Sequence, residues 1–401
     1  MIDDKKVPEI RFIGFAEPWK MCTLGELGNV MMNRRIFRNQ TTEFGDIPFY
    51  KIGTFGSRAD AFISKELFNE YKSKYPYPKI GDLLISAAGS IGKVVEYKGE
   101  DAYFQDSNIV WLSHDKQIIS SFLKQFYTVA KWDVLEGSTL KRLYNKDILE
   151  MIIHLPAIDE QTIIGSFLRV LDETIILKRQ QYEQTANIKK SMLEKMFPTK
   201  GADMPEIRFD GFAEPWKKRK LGEHTKLITK GTTPKDKSGH GNINFIKVEN
   251  IINGQIIPVS RITVDEHENY LSRSKLEEND ILFSIAGTLG RTALVCKSIL
   301  PANTNQALAI IRGYDFDIQF LLVSLNGSMV VEYLQRNPVV GAQPNLSLAQ
   351  IGDLTIWTPS KTEQIAIGNF FLNLDALIET QRQALEKLQN IKNACLSKLF
   401  V

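Results

Sequence analysis

The side chains best suited to chemistry in this 401-residue chain are hydrogen-bond donors, not nucleophiles or metal ligands. Asn33-Arg34-Arg35, followed by Arg38-Asn39-Gln40, packs guanidinium and amide groups into one short stretch. Such groups hold phosphate oxygens and pair with purine edges. In the second half of the chain, KGTTPK (230–235) supplies Lys230, Thr232, Thr233 and Lys235 in a basic, Gly/Thr-rich loop. Lys93 and Arg291 end two copies of an SxAGxxG[KR] turn, at 86–93 and 284–291. Gln105, in QDSN (105–108), and Asn303 and Asn305, in NTNQ (303–306), precede predicted strands. Their amides suit adenine, which offers a donor beside an acceptor. Lys141 and Arg142 in GSTLKR (137–142), with Gln343 and Asn345 in GAQPN (341–345), form another polar loop pair. Each loop taken alone is equally well explained as a solvated turn, a tight glycine bend or a set of amides satisfying local backbone.

Catalytic signatures are missing. Gly89-Ser90-Ile91-Gly92-Lys93 imitates a phosphate loop but lacks its spacing, and no GxGxxG or [DN]PP[YFW] occurs. The five histidines (His114, His154, His224, His240 and His267) are scattered, and the carboxylates form no nuclease motif. The expectation is a binding protein with no catalytic residues, no metal site and no cofactor. Fifty basic against 47 acidic residues leave a net charge of +3, so an anionic partner requires local clustering of cations. Cys22, Cys296 and Cys395 form neither a disulfide framework nor a metal knuckle, which suits a reducing compartment. The start, MIDDKK, is not followed by an apolar segment, and no run of about 20 apolar residues appears. A soluble cytoplasmic protein without a membrane segment is expected.

The elements that carry these loops occur twice. PEIRFIGFAEPWK (8–20) and PEIRFDGFAEPWK (205–217) differ only at Ile13 and Asp210. GDLLISAAGSIGK (81–93) parallels NDILFSIAGTLGR (279–291), and EQTIIGSFLRVLDETI (160–175) parallels EQIAIGNFFLNLDALI (363–378). Lys195-Met196-Phe197 is matched by Lys398-Leu399-Phe400. Between these anchors the copies diverge, as in RRIFRNQTTEFGDIPFYKIG (34–53) against TKGTTPKDKSGHGNINFIKV (229–248). A fixed internal period means that one structural unit is copied. IPFYKIG, DLLISAA, NIVWL and EMIIHL predict strands in the first copy, and INFIKV, DILFSIAG, ALAIIR and LTIWT in the second. SSFLKQFYTVAKWDVLE and DIQFLLVSLNGSMVVEYLQ predict helices.

After Pro156 and Pro359 the apolar spacing becomes that of long helices. Ser360-Lys361-Thr362-Glu363 fits a capping box, and Asp159 is the candidate cap in the first copy. Ile164, Leu168, Leu171, Ile175, Tyr182, Thr185, Met192 and Met196 form a heptad seam. It recurs as Ile367, Phe371, Leu374, Ile378, Leu385, Leu388, Cys395 and Leu399, with polar interruptions at Lys178/Gln381 and Lys189/Lys392. Two such helices are expected to pack antiparallel as a coiled coil; the alternative is that each lies on its own domain. The predicted fold class is α+β: two pseudo-symmetric, β-rich domains with peripheral helices, at residues 1–156 and 201–359. Helical spacers occupy 157–200 and 360–401.

The repeat, its PEIRFxGFAEPWK openers, the SxAGxxG turns, the GxTP of Gly231-Thr232-Thr233-Pro234 and the P-x(3)-EQ helix starts resemble the specificity subunit of type I restriction–modification systems. The resemblance covers essentially the whole chain, and Asn33-Arg34-Arg35 departs from it where the first copy would show GxTP. It implies two target-recognition domains, each binding one half of a split site in double-stranded DNA. It further implies two modification subunits, which bring S-adenosylmethionine, and restriction subunits, which bring ATP-driven translocation. The alternative is a two-headed scaffold binding only proteins, for which basic, amide-rich loops are the wrong chemistry.

Overall fold

The computed structural model describes residues 7–132, 142–199, 201–236, 238–336 and 345–401. It divides into two compact units, Met1–Arg179 with Gln383–Val401, and Gln180–Arg382.

In the first unit an antiparallel sheet runs in the order Gly28–Met31, Ile109–His114, Leu83–Ser86, Val94–Glu96. A smaller sheet contains Phe62–Ile63, Ile47–Tyr50 and Tyr103–Phe104, the last pair parallel. Lys20–Thr23, just after the opener, pairs with Ile152–Leu155, just before the long helix. The second unit repeats all three: Thr225–Lys230, Leu308–Tyr314, Ile281–Ser284, Thr292–Leu294; then Ser260–Ile262, Ile243–Ile246, Ala302–Thr304; then Lys217–Lys220 with Thr355–Thr358.

The central strands carry continuous apolar runs, Leu83–Ile85, Ile109–Leu112, Ile281–Phe283 and Leu308–Ile311, because both faces of those runs are buried. Leu83, Ile85, Val110 and Leu112 join a core shared with Ile164, Leu168 and Leu396 of the long helices. Leu84, Ile109 and Trp111 point the other way, into a core under the smaller sheet. In the second unit Ile281, Phe283, Ala309 and Ile311 face one core, while Leu282, Leu308 and Ile310 face another.

Two local expectations are corrected. Residues 317–335 form two helices, Ile318–Leu325 and Ser328–Arg336, interrupted at Asn326-Gly327. There the Asn326 side chain donates to Leu322 O and Thr292 Oγ1, at 2.8 and 2.6 Å, competing with helix continuation. The other peripheral helix ends at Val129, where Ala130 turns extended. Lys217–Lys220 is a strand despite its four basic residues, with Lys218 Nζ 4.7 Å above the Trp357 ring.

The long helices are Ile158–Lys195 and Lys361–Leu399, each about 57 Å at ~1.5 Å per residue. Every seam position is buried or half-buried. In the first unit Asp172 pairs with Lys392; in the second, Asp375 pairs with Lys189. The second pair is the first with the helices' roles exchanged, since both partners are displaced by 203 residues. Within each unit the two helices therefore run antiparallel, and the polar interruptions at Lys189 and Lys392 are cross-helix ion pairs. Packing on the domains is real too. Ile164 and Leu168 enter the core of their own copy, as do Ile367 and Phe371.

The identical segments build this frame. Arg11 makes a two-pronged bond to Glu160, at 2.7 and 2.8 Å, and also donates to Glu17 O. Arg208 does the same with Glu363 and Glu214 O. Only half of the expected capping box therefore forms: Glu363 N donates to Ser360 Oγ, while the Glu363 carboxylate is committed to Arg208. Asp159 lies inside the first turn, because the helix begins at Ile158. Gln161 accepts from Ile119 N, and Gln364 from Asp317 N, fixing the start of the peripheral helix that precedes each long helix, Ser120–Val129 and Ile318–Leu325. Phe400 packs on Trp19 and Phe122, and Phe197 on Trp216 and Phe320.

The glycine of each helix start is a packing requirement. A Cβ on Gly368 would lie 2.8 Å from Asp317 Oδ1, Gln319 Cβ and Phe320 N. Gly368→Ala should lower thermal stability by about 1–3 kcal/mol from overpacking, reduced by up to ~1 kcal/mol of helix propensity. A rise in melting temperature would show that the helices can separate without loss.

Candidate nucleic-acid interface

In the first unit the strand Gly28–Met31 leads into the arginine loop. Tyr103 Oη donates to Arg34 O at 3.1 Å, and the Arg34 guanidinium lies 5.4 Å above the Tyr75 ring. Burial pushes the Tyr103 phenol well above its usual range, so it remains a donor. Arg35 Nε meets Asp106 at 3.0 Å, joining this loop to residues 105–108. Gln105 accepts from Ile52 N at 2.9 Å, and Arg142 donates to Ser107 O at 3.0 Å. Arg38 and Asn39 are exposed on a short helical turn, tied down by Gln40, which accepts from Phe37 N and donates to Tyr71 Oη. The structure thus brings Arg34, Arg35, Arg38, Asn39, Gln105 and Arg142 onto linked loops.

The second unit does the same with other residues. Gly231 is needed because a Cβ would fall 2.0 Å from Thr304 O. Thr232 N donates to that carbonyl at 3.0 Å, and Thr233 Oγ1 donates to Gln306 Oε1. The backbone N–H groups of Lys235 and Asp236 both donate to Glu266, at 2.7 and 3.1 Å. Lys235 Nζ stands 4.4 Å above the Tyr270 ring. Lys230 and Asn345 are exposed, and Asn305 caps Ala307 N at 3.1 Å.

Several expected contacts are taken out of reach. Asn303 is fully buried in the strand Ala302–Thr304, donating to Leu271 O and Ser274 Oγ and facing His267. Strand register pairs Tyr50 with Phe104 and Ile246 with Thr304, so Gln105 corresponds to Asn305, not to Asn303. Asn33 is also buried. Lys93 and Arg291 turn back onto carbonyls, of Phe55 and of Val248 and Ile251. Each braces the SxAGxxG turn, whose glycines have positive φ (65° and 80°; 74° and 80°). Its serine accepts from Lys93 N or Arg291 N. Lys141 and Gln343 lie outside the described residues. Tyr75, Tyr270 and Glu266 carried no sequence signal, because each acts on a loop more than 30 residues before it.

Among the described residues no group of three or more His, Cys, Asp or Glu side chains could hold a metal. No helix there is long and apolar enough to cross a membrane.

A duplicated frame presenting two unlike polar, basic loop clusters defines a two-headed binding protein. Residues 16–186 and 213–390 each match the family model described as the type I restriction modification DNA specificity domain, and the chain belongs to that family. It is 51% identical over 159 residues to a putative type I restriction enzyme specificity subunit of Haemophilus influenzae, covering 39% of this chain and 41% of that one. The EcoBI specificity subunit of Escherichia coli is 24% identical over 289 residues, 65% of this chain and 60% of that protein. The chain thus spans less than two thirds of either relative's length. The putative MjaX specificity subunit of Methanocaldococcus jannaschii is 24% identical over 415 residues, 96% and 93% of the two chains. The fold is similar to a type I S subunit from M. genitalium, with a TM-score of 0.65 at 17% identity, covering 98% and 99% of the chains.

Proposed function

We propose that this chain reads DNA sequence for a type I restriction–modification complex and performs no bond-making step itself. Residues 1–156 and 201–359 act as two target-recognition domains, each binding one half of a split site in double-stranded DNA. The spacers at 157–200 and 360–401 hold them apart. Two modification subunits bring S-adenosylmethionine and methylate an adenine in each half; restriction subunits bring ATP-driven translocation and cleavage. The reading is cytoplasmic, where DNA and these subunits meet.

The observation that carries it is the contrast between frame and loops. Arg11–Glu160 and Arg208–Glu363 are the same contact made twice, while Arg34/Tyr75 and Lys235/Tyr270 are different chemistry on corresponding loops. Unlike readers on one frame suit an asymmetric site. Exposed Ile163, Phe167 and Val170 on the first long helix suit the docking of a protein subunit.

Exchanging residues 20–156 for the matching domain of a relative should change one half-site and leave the other as it was. Methylome sequencing of cells expressing the chimera with its modification subunit reads both halves. A change in the second half would refute independent reading. Incubated alone with duplex and labelled S-adenosylmethionine, the purified chain should transfer no methyl group; transfer by a preparation free of partner subunits would refute the non-catalytic assignment.

A further inference from the structure

The two loop clusters share a device that their sequences hide. In the first unit the backbone of Arg34 is pinned by Tyr103, and its guanidinium lies over Tyr75, which is 39% exposed. In the second, the backbone of Lys235 is pinned by Glu266, and its ammonium lies over Tyr270, which is 46% exposed. Both cations come from the loop after the first strand of the four-stranded sheet. Both tyrosines come from the insert that follows an edge strand of the three-stranded sheet: Tyr75 after the helix Lys65–Lys74, Tyr270 at the end of the turn Glu266–Tyr270. The inserts otherwise have nothing in common, since one is a ten-residue helix and the other a five-residue turn.

An exposed cation that only neutralises phosphate needs no fixed direction. Here backbone and side chain are both held, which costs the free chain rotamer freedom and leaves less to lose on binding. Lys and Arg donate only, so a directed contact must find acceptors. A guanidinium stacked on a ring keeps its in-plane N–H fork free. Guanine, with O6 and N7 side by side in the major groove, is the base edge that matches.

We infer that Tyr75 and Tyr270 are positioning residues that aim Arg34 and Lys235 at one guanine in each half-site. This rests on the DNA-reading function proposed above. The test is selection of bound duplexes from a randomised pool by the full chain, wild type against Y75L, Y75F, Y270L, Y270F and R34A. R34A should reduce preference for guanine at one position of one half-site by roughly 5- to 150-fold. Y75L should weaken preference at that same position by about two- to fivefold, the worth of an exposed cation–π contact, and Y75F should restore it. Y270L and Y270F should repeat the pattern in the other half-site alone. Unchanged preferences would overturn the inference. So would an even loss across all sequences, which is the mark of phosphate contact, or a Y75L effect that spreads to both halves. A wild-type chain that enriches no sequence would instead overturn the DNA-reading function itself.

Discussion

Arg208→Ala should destabilise the second unit by about 3–5 kcal/mol and leave the first unit untouched. The Glu363 carboxylate is almost wholly buried, and its two charge-assisted bonds to Arg208, at 2.7 and 2.8 Å, replace the water it has lost. Deleting the arginine strands that charge. The variant also frees the opener, because the same guanidinium donates to Glu214 O at 2.7 Å. Replacing both partners with apolar residues, as in R208M with E363L, should cost far less, since no charge is then left unpaired. The hydrogen bond to Glu363 raises the Arg208 pKa above its ordinary value, with burial opposing. A raised pKa on a cation contributes stability that is fully present below its ordinary, unfolded value and is lost only as pH rises through the folded one. The deficit of the variant should accordingly stay constant as pH rises from about 7 to 10. Urea unfolding followed by hydrogen exchange separates the units, which need not unfold in one step. Arg11→Ala should give the mirror result in the first unit, through Glu160. A loss below about 1 kcal/mol in either would mean the pair is solvated, as surface pairs are.

The frame was legible because it is written twice. Two nearly identical openers announced themselves, yet nothing in the sequence says that Arg11 reaches Glu160, which lies 149 residues on. The seam was legible because burial follows its period at every position. Its ion pairs were not, because Asp172 and Asp375, the partners of the seam lysines, look like ordinary surface charges until the helices are laid antiparallel. Local pattern failed where tertiary context overrides it: the helix expected over 317–335 breaks where the Asn326 amide turns to Leu322 O and Thr292 Oγ1. The loops were the least legible part. Asn303 stands at the same spacing from Gln105 as Arg291 from Lys93, but strand register matches Gln105 to Asn305, so the second copy carries two extra residues before this point and the Asn303 amide turns into a core. Lys93 and Arg291 are equivalent in sequence and in structure, and what they share is a carbonyl brace. Arg34 and Lys235 were visible as cations, and the tyrosines beneath them were not, because stacking partners obey no spacing rule.

Lengthening both long helices by four residues, near Arg179 and Arg382, should widen the unread gap of the DNA site by one or at most two base pairs. Each helix belongs partly to each unit, with its start in one core and its end in the other: Ile164 and Met196 for the first, Ile367 and Leu396 for the second. Four residues add about 6 Å of rise and turn the downstream face by only some 40°, so the seam closes again at small cost. Inserting into one helix alone would misalign Asp172 from Lys392 and Asp375 from Lys189, and should destabilise instead. DNA rises about 3.4 Å per base pair, so 6 Å corresponds to fewer than two steps. The half-sites themselves should stay as they were, because the arginine and lysine loops lie far along the chain from the insertions. Methylome sequencing with the modification subunit present reads gap and half-sites together. A wider gap with unchanged halves is the expected result. Persisting methylation at an unchanged gap would show that the helices are not the ruler, and that flexible linkage sets the distance.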